Sequence, residues 1–568
     1  MKKGVPFLYI VKIKYFFILI LLSLICYSNS LKGEFVWDDS FLIVNNPLIK
    51  DFKNLAKIFS TEILPSTGYY RPLQITSYLL DYHLYHLNPA GYHLTNILLH
   101  LFNSVLVLII LYHCSKNIFI SFSTSLFFLT APFHTEAVTF ISARADLLLA
   151  FFLLFSFYFY IKEKYFFSLL FFSGALFSKE VALIFPFLLI FYDLCFQKGL
   201  IKKKRIYLFF FLEAVIYLTI HIFIFPNSYS AISLRFLPSL NLFWRLLAFF
   251  KSLFIYLGII LFPVDLHMER RLIFKKDFFL FLPYIIFFLI LAGIFYLIFK
   301  YTKRKRLLLF ALGWFFIFLL PQSSFFLPYL IAEHFLYLPS IGFFLSISIL
   351  LEKIRQRKGK IVSFFIFIWV SYYSFLTFTA NINWQNSITF YRWTKKYSPY
   401  SLRIHYLLGI HYVEKGLYDK GLEEFVKTAQ IYEGVPILKE IDKFYKKDKK
   451  FLAALHYNIG FIFSQKGLFK KAEKEYKKAL EFNPLLLEAY NGLGCLYIKE
   501  RRLKEAEEVF KKLLKIEPSF SKAYYNLGIV YLLKDEKEKT YKVWRKALEF
   551  DPDYGLVKES LRKIDVKK

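Results

Sequence analysis

Along the first two thirds of the chain, apolar residues run in long stretches parted by short polar segments. Along the last third they recur instead at helical spacing among charged residues. A helix needs about 20 apolar residues to cross a bilayer. By that measure the spans are 13–29, 93–113, 117–133, 145–161, 165–178, 181–196, 206–225, 279–299, 307–320, 336–351 and 361–380, about eleven in all. The segment 240–262 is apolar too but carries Arg245 and Lys251 along its length. The first span follows Met1-Lys2-Lys3 much as a signal peptide would. It lacks a convincing small-residue cleavage site, so it reads as a retained span.

Basic clusters mark the cytoplasmic side of membrane helices. Here they are the N-terminal lysines, Lys198 with Lys202 to Arg205, Lys300 to Arg306, and Lys353 to Lys360. All four share one side only if 240–262 does not cross but lies at, or re-enters, the outer face. The N-terminus is then cytoplasmic and residues 381–568 extracytoplasmic.

The last third is a repeat array. Gly460, Gly494 and Gly528 recur at a period of 34 residues, as do Pro484, Pro518 and Pro552. That is the tetratricopeptide period, in which each repeat is two helices with small residues where they cross. The repeats are expected at 453–486, 487–520 and 521–554. A degraded copy at about 402–435 (Leu408-Gly409, Tyr412, Phe425) precedes them, displaced by a 17-residue insertion. Residues 553–568 supply a capping helix and tail, which such stacks need for solubility. The domains are therefore 1–385 in the membrane, a linker at 386–400, and repeats over 401–552. The fold class is all-α, a polytopic membrane helix bundle followed by a soluble α-solenoid.

Composition agrees with this division. The chain has 568 residues, 57% hydrophobic and 21% aromatic, with a mean hydropathy of +0.44. Those values exclude a water-soluble protein with a single buried core, as well as a disordered chain. Residues 401–568 hold 60 of the charges, 35 basic and 25 acidic, against 39 basic and 17 acidic in the first 400 residues. The net charge of +32 invites a nucleic-acid reading, but most of it lies in basic loops beside spans, so no nucleic-acid partner is expected. The four cysteines are scattered without ligand spacing, so neither a zinc site nor a disulfide framework is indicated.

The out-of-place polar residues all fall on the predicted outer face. They are Trp37-Asp38-Asp39 and Tyr69-Tyr70-Arg71-Pro72 in the long loop 30–92, His134-Thr135-Glu136 and Arg144-Ala145-Asp146, Ser178-Lys179-Glu180, Glu269-Arg270-Arg271, and Glu333-His334. Ionisable residues at membrane depth usually mark a site, and so many on one side suggest a single polar cavity. Asp38 or Asp39 could act as a general base, or serve as a helix cap or surface acid pair. Arg71 could hold a phosphate, or simply snorkel to the interface. Lys179, Arg144, Arg270 and Arg271 add cations suited to a ligand with a buried phosphate. His134, Glu136, Glu333 and His334 could ligate a metal, but pairing with those cations is the preferred reading, and no metal is expected.

These residues also carry a family resemblance. Phe35-Val-Trp-Asp-Asp39 with Asn46-Pro47, Tyr70-Arg-Pro-Leu73, Leu80-Asp81-Tyr82, Asn88-Pro89 and Tyr92 to Asn96 with Leu99-His100 come first. His134 to Val138, Arg144 to Asp146, Ser178 to Glu180, and Glu333 to Gly342 follow in the same order. In this set the chain resembles the transmembrane and tetratricopeptide-repeat O-mannosyltransferase family over essentially its whole length. The resemblance implies a GT-C fold and an inverting transfer of mannose or another hexose from a polyprenyl-phosphate donor to a protein hydroxyl. It implies that Asp38 or Asp39 is the base, and that Arg71, Lys179 and Arg270 or Arg271 neutralise the departing phosphate. His134 with Glu136 would line the sugar pocket, and Arg144, Asp146, Glu180, Glu269, Glu333 and His334 join the donor-binding set. It further implies that no cofactor is needed beyond the lipid-linked sugar, and that the repeats present an acceptor polypeptide. Two departures stand out: the stretch 226–278 is short, and the first repeat is degenerate. The composition points to a bacterial inner membrane. The main alternative is a non-enzymatic scaffold for an envelope complex. A transporter or flippase would place its ionisable residues near mid-span instead.

Overall fold

The structure is a computed structural model, and it describes residues 13–63, 69–196, 203–224, 242–271, 277–323, 330–434 and 449–565. The N-terminal lysines, Lys198, Lys202, residues 225–241 and the insertion before 449 lie outside the described residues. Packing divides the chain into two units, 1–397 and 398–568.

The first unit is a helical bundle. Its helices are α1 (Ile13–Tyr27), α2 (Pro72–Tyr85), α3 (Pro89–Ser115), α4 (Ile118–Thr130), α5 (Arg144–Ile161) and α6 (Tyr165–Leu176). They continue with α7 (Phe185–Phe196), α8 (Lys204–Ile224), α9 (Leu242–Leu261), α10 (Leu282–Tyr301), α11 (Lys305–Leu319), α12 (Pro339–Ile382) and α13 (Ser387–Tyr397). Local chemistry sets several boundaries. Asn88 caps α3 by accepting from Ala90 N, with Pro89 at the first helical position, where its missing N–H is no loss. Asn117 caps α4 in the same way, through Ile120 N. The Ala131-Pro132 step ends α4, and the chain turns by 57° into the short helix Thr135–Val138.

A helix occupies each of the eleven predicted spans, but their lengths differ from expectation. Among the described residues, eight helices are long and apolar enough to cross a membrane, or nine if the bent pair at Ala131 counts as one span. The last two predicted spans lie within α12, which is two helices joined across a kink at Lys358, where φ is −134° and ψ is 56°. Helices α6 and α7 are short, at 12 residues each. The segment 240–262, expected not to cross, forms a 20-residue helix of spanning length over its described part. It packs on the first half of α10: Trp244, Phe250 and Phe254 touch Phe281, Phe288 and Tyr284 respectively. The stretch expected as a linker holds α13, packed into the first unit.

The second unit is a stack of helical hairpins: α14 (Leu402–Glu414) with α15 (Tyr418–Gly434), α16 (Lys449–Gln465) with α17 (Phe469–Phe482), α18 (Leu487–Lys499) with α19 (Leu503–Ile516), and α20 (Ser521–Leu533) with α21 (Lys537–Phe550). The glycine at each crossing is explained by contact. A Cβ on Gly460, Gly494 or Gly528 would fall within 2.9 Å of Tyr476, Phe510 or Trp544 on the facing helix. Gly409 meets Phe425 in the same way at 2.6 Å. The degenerate first repeat therefore packs by the same rule as the others. A final helix, α22 (Gly555–Asp565), buries Val557 against Trp544 and Ala547 and closes the stack.

Candidate active site

The long first loop is built structure. Its helix α2 is stitched to the turn before α5: Gln74 Nε2 donates to Ser142 O at 2.7 Å, and Tyr78 OH donates to Ile141 O at 2.9 Å. The acid pair sits in the same corner. Asp39 is 1% exposed. Its Oδ2 accepts from Val36 N at 2.9 Å, and its Oδ1 accepts from Ser142 N at 2.9 Å and from Ser142 Oγ. Burial raises this carboxyl to about 7, against the pull of those donors. Asp39 thus ties the loop to the turn before α5. Asp38 is only half-buried and makes itself felt at Tyr69.

Tyr69 leads to the first cation. The Arg71 guanidinium lies 4.8 Å from the Tyr69 ring and grips Glu180 with two bonds, Nε to Oε2 at 3.2 Å and Nη2 to Oε1 at 2.8 Å. Burial would raise the Glu180 carboxyl, but the charge and hydrogen bonds of Arg71 hold it down at about 2. A depressed acid contributes stability above its unfolded value near 4.5, and that contribution is lost as pH falls from 4.5 towards 2. The Glu180 side chain is 46% exposed, so solvent screens the pair and its worth is about 1 kcal/mol or less. Comparing thermal unfolding of the detergent-solubilised native protein with Glu180→Gln should show a small native advantage at pH 6 that shrinks towards pH 3. A difference that does not change with pH would contradict this account.

Lys179 donates to Asp146 Oδ1 at 2.7 Å, both side chains being buried, and its Nζ lies 5.7 Å from the Phe335 ring. Phe335 opens onto the other arc of the site. There Glu136 Oε2 accepts from Glu333 N at 2.7 Å and His334 N at 3.0 Å, while Oε1 pairs with His334 Nδ1 at 2.8 Å. Glu333 Oε1 accepts from His267 N at 2.7 Å and lies 3.7 Å from Arg270 Nη2. Burial, with Glu136 nearby, pushes the Glu333 carboxyl well up. Arg270 itself pairs with Asp265 at 3.1 Å. A two-stranded ladder, β1 (Arg270–Arg271) with antiparallel β2 (Leu330–Ile331), holds this arc together. Glu269 enters it with a positive φ of 65°.

The structure therefore brings together Asp38, Arg71, Lys179, Glu180 and Asp146 on one arc, and Glu136, Glu333, His334 and Arg270 on the other. It places two predicted ligands elsewhere. Arg144 is fully buried: it pairs with Asp81 at 2.6 Å and donates to Asn96 Oδ1, Ser77 Oγ and Tyr92 O. His134 is also inside, between Phe128 O and Ser340 Oγ. Sequence reasoning missed Ser142, Asp81, Asp265 and His267. Of these only Asp81 stood within a quoted motif, and its partner lies 63 residues away in sequence, beyond any local pattern. Among the described residues, no group of three or more His, Cys, Asp or Glu could hold a metal ion.

Comparison with known proteins agrees with both units. The tetratricopeptide repeat family matches residues 453–484, 487–520 and 521–554. A protein O-mannosyl-transferase of Caenorhabditis elegans is 28% identical over 438 residues, covering 71% of this chain and 60% of the relative. Protein O-mannosyl-transferase TMTC1 is 39% identical in Mus musculus and 38% in Homo sapiens over 138 residues, covering 22% of this chain and 14% and 15% of those proteins. The chain thus spans 60% of the length of the first relative and about a seventh of the other two. Among solved structures, the TPR protein YrrB is 23% identical over 31% of this chain and 81% of its own, with a TM-score of 0.25. In sequence the chain is similar to protein O-mannosyl-transferases, TMTC1 among them, and its C-terminal unit matches the tetratricopeptide repeat family.

Proposed function

We propose that this protein is a membrane glycosyltransferase that moves a hexose, mannose first among them, from a polyprenyl-phosphate donor to a protein hydroxyl. The carrying observation is the different burial of the two acids. Asp39 spends both oxygens inside the fold on Val36 and Ser142, while Asp38 stands at the rim beside the Tyr69–Arg71 arc. Asp38 is then the general base. It takes the proton of the acceptor hydroxyl as that oxygen attacks the anomeric carbon. The carbon–phosphate-oxygen bond breaks, the polyprenyl phosphate leaves with the electron pair, and the configuration inverts.

Arg71 serves the leaving phosphate. Its fork already grips a carboxylate with two parallel bonds, and a phosphate offers the same pair of oxygens. Glu180, the more exposed member of the pair, is the partner that yields. Charge stabilisation of this kind is usually the largest catalytic contribution. The site faces the extracytoplasmic or lumenal side, and the repeats bind the acceptor polypeptide, raising its effective concentration.

A kinetic comparison tests the phosphate contact. Arg71→Met should lower kcat/KM for the lipid donor by roughly 10²-fold or more, with KM for the acceptor unchanged. A variant with native donor kinetics would remove Arg71 from the reading.

A further inference from the structure

The chain reaches the acid pair through an unusual backbone state. Seven non-glycine residues have positive φ among those described: Trp37, His86, Lys116, Glu163, Glu269, Arg501 and Asp535. Five of them follow the C-terminal end of a helix, where the left-handed conformation is an ordinary way to stop. Trp37, at φ 56°, and Glu269 do not, and both belong to the candidate site. A bulky side chain persists in that region only where its surroundings over-determine it, and such residues cluster at functional sites.

Trp37 has such surroundings. The residue is 8% exposed, and its indole packs on Phe390 at 5.5 Å and Tyr391 at 5.6 Å, both on α13. Phe390 rests on Trp384 at 4.7 Å, and Trp384 stacks on Phe140 at 5.2 Å, two residues before Ser142, the partner of Asp39. Glu34 N donates to Gln385 O at 2.8 Å, fixing the approach of the chain from the other side. The same helix reaches the second arc: Trp393 Nε1 donates to Leu266 O at 2.6 Å, and Tyr397 stacks on His267 at 4.8 Å.

We infer that Trp37 is a positioning residue: the aromatic box on α13 holds its backbone in the left-handed state and thereby aims Asp38 at the reacting hydroxyl. The inference rests on the base role proposed for Asp38. Neither residue type nor spacing announces it, because the box is assembled from positions more than 340 residues away in sequence.

Three variants and a chemical probe test it. Trp37→Ala and Phe390→Ala should lower kcat by about 10²-fold while KM for donor and acceptor stays within about threefold, and Trp37→Phe should restore most of the rate. The probe does not depend on activity. In a chain with its four cysteines replaced by alanine, Asp38→Cys is labelled with a methanethiosulfonate reagent, and adding Trp37→Ala should change the labelling rate by about tenfold. Native kcat in a folded Trp37→Ala protein, or an unchanged labelling rate, would overturn the inference. A loss of rate shared equally by KM, or not rescued by phenylalanine, would overturn it as well. If the native chain transfers no sugar from any donor, the base role fails, and the labelling rate alone decides whether Trp37 aims residue 38.

Discussion

Asp38→Asn is expected to cut sugar transfer by about 10³-fold, within the range of a lost general base, while the protein remains folded, inserted and able to bind the donor. Asparagine keeps the size of the side chain and removes only its capacity to accept a proton. Asp39→Asn should behave differently. Its amide nitrogen would face either Val36 N or the two Ser142 donors, each of which now points at a carboxylate oxygen. A buried donor left without an acceptor costs about 1–3 kcal/mol, so the Asp39 variant should lose folded protein, with transfer per folded molecule much less affected. Specific activity normalised to folded protein separates the two. Full activity in Asp38→Asn, or complete loss in a stably folded Asp39→Asn, would reverse the assignment.

Arg144→Met should unfold the membrane unit. The guanidinium has no exposure, sits against the Tyr78 ring at 4.7 Å, and holds Asp81, Asn96, Ser77 and the Tyr92 carbonyl at once. It thereby joins α2, α3 and α5. Removing one partner of a buried pair typically costs about 3–5 kcal/mol, because the other charge is stranded. The double change Arg144→Met with Asp81→Leu removes both charges and should recover part of the loss. Thermal unfolding and yield from membranes read both effects. A well-folded Arg144→Met protein that binds donor poorly would return Arg144 to the ligand-binding set, where the sequence had placed it.

The contrast between Arg144 and Arg71 shows where reading the sequence stops. Both stand in polar clusters between spans, and both carry family motifs. Arg144 turns inward because Asp81, 63 residues earlier, waits for it on α2, whereas Arg71 pairs with a half-exposed Glu180. Pairings over such distances leave no periodic trace. The helices do leave one: every apolar stretch became a helix, and the 34-residue period gave the repeats, including the degenerate first copy, because Gly409 and Phe425 keep the spacing of Gly460 and Tyr476. Span lengths were less legible. Hydropathy alone does not reveal that the last two spans follow each other across a single kink at Lys358, or that 240–262 forms a helix of spanning length over its described part. The two-arc arrangement of the polar clusters was visible only as a shared side. Its internal pairings, Glu136 with the 333–334 turn above all, needed the folded chain.

The central claim is tested most directly by transfer itself. The purified chain, in lipid, is given radiolabelled polyprenyl-phosphate mannose and an extended polypeptide rich in serine and threonine, and protein-bound label is measured before and after digestion with anomer-specific glycosidases. The account predicts label that depends on the native chain, appears as the inverted anomer, and disappears in Asp38→Asn. No label from mannose or any other polyprenyl-phosphate hexose, with a folded protein and intact repeats, would contradict it and leave the chain a scaffold.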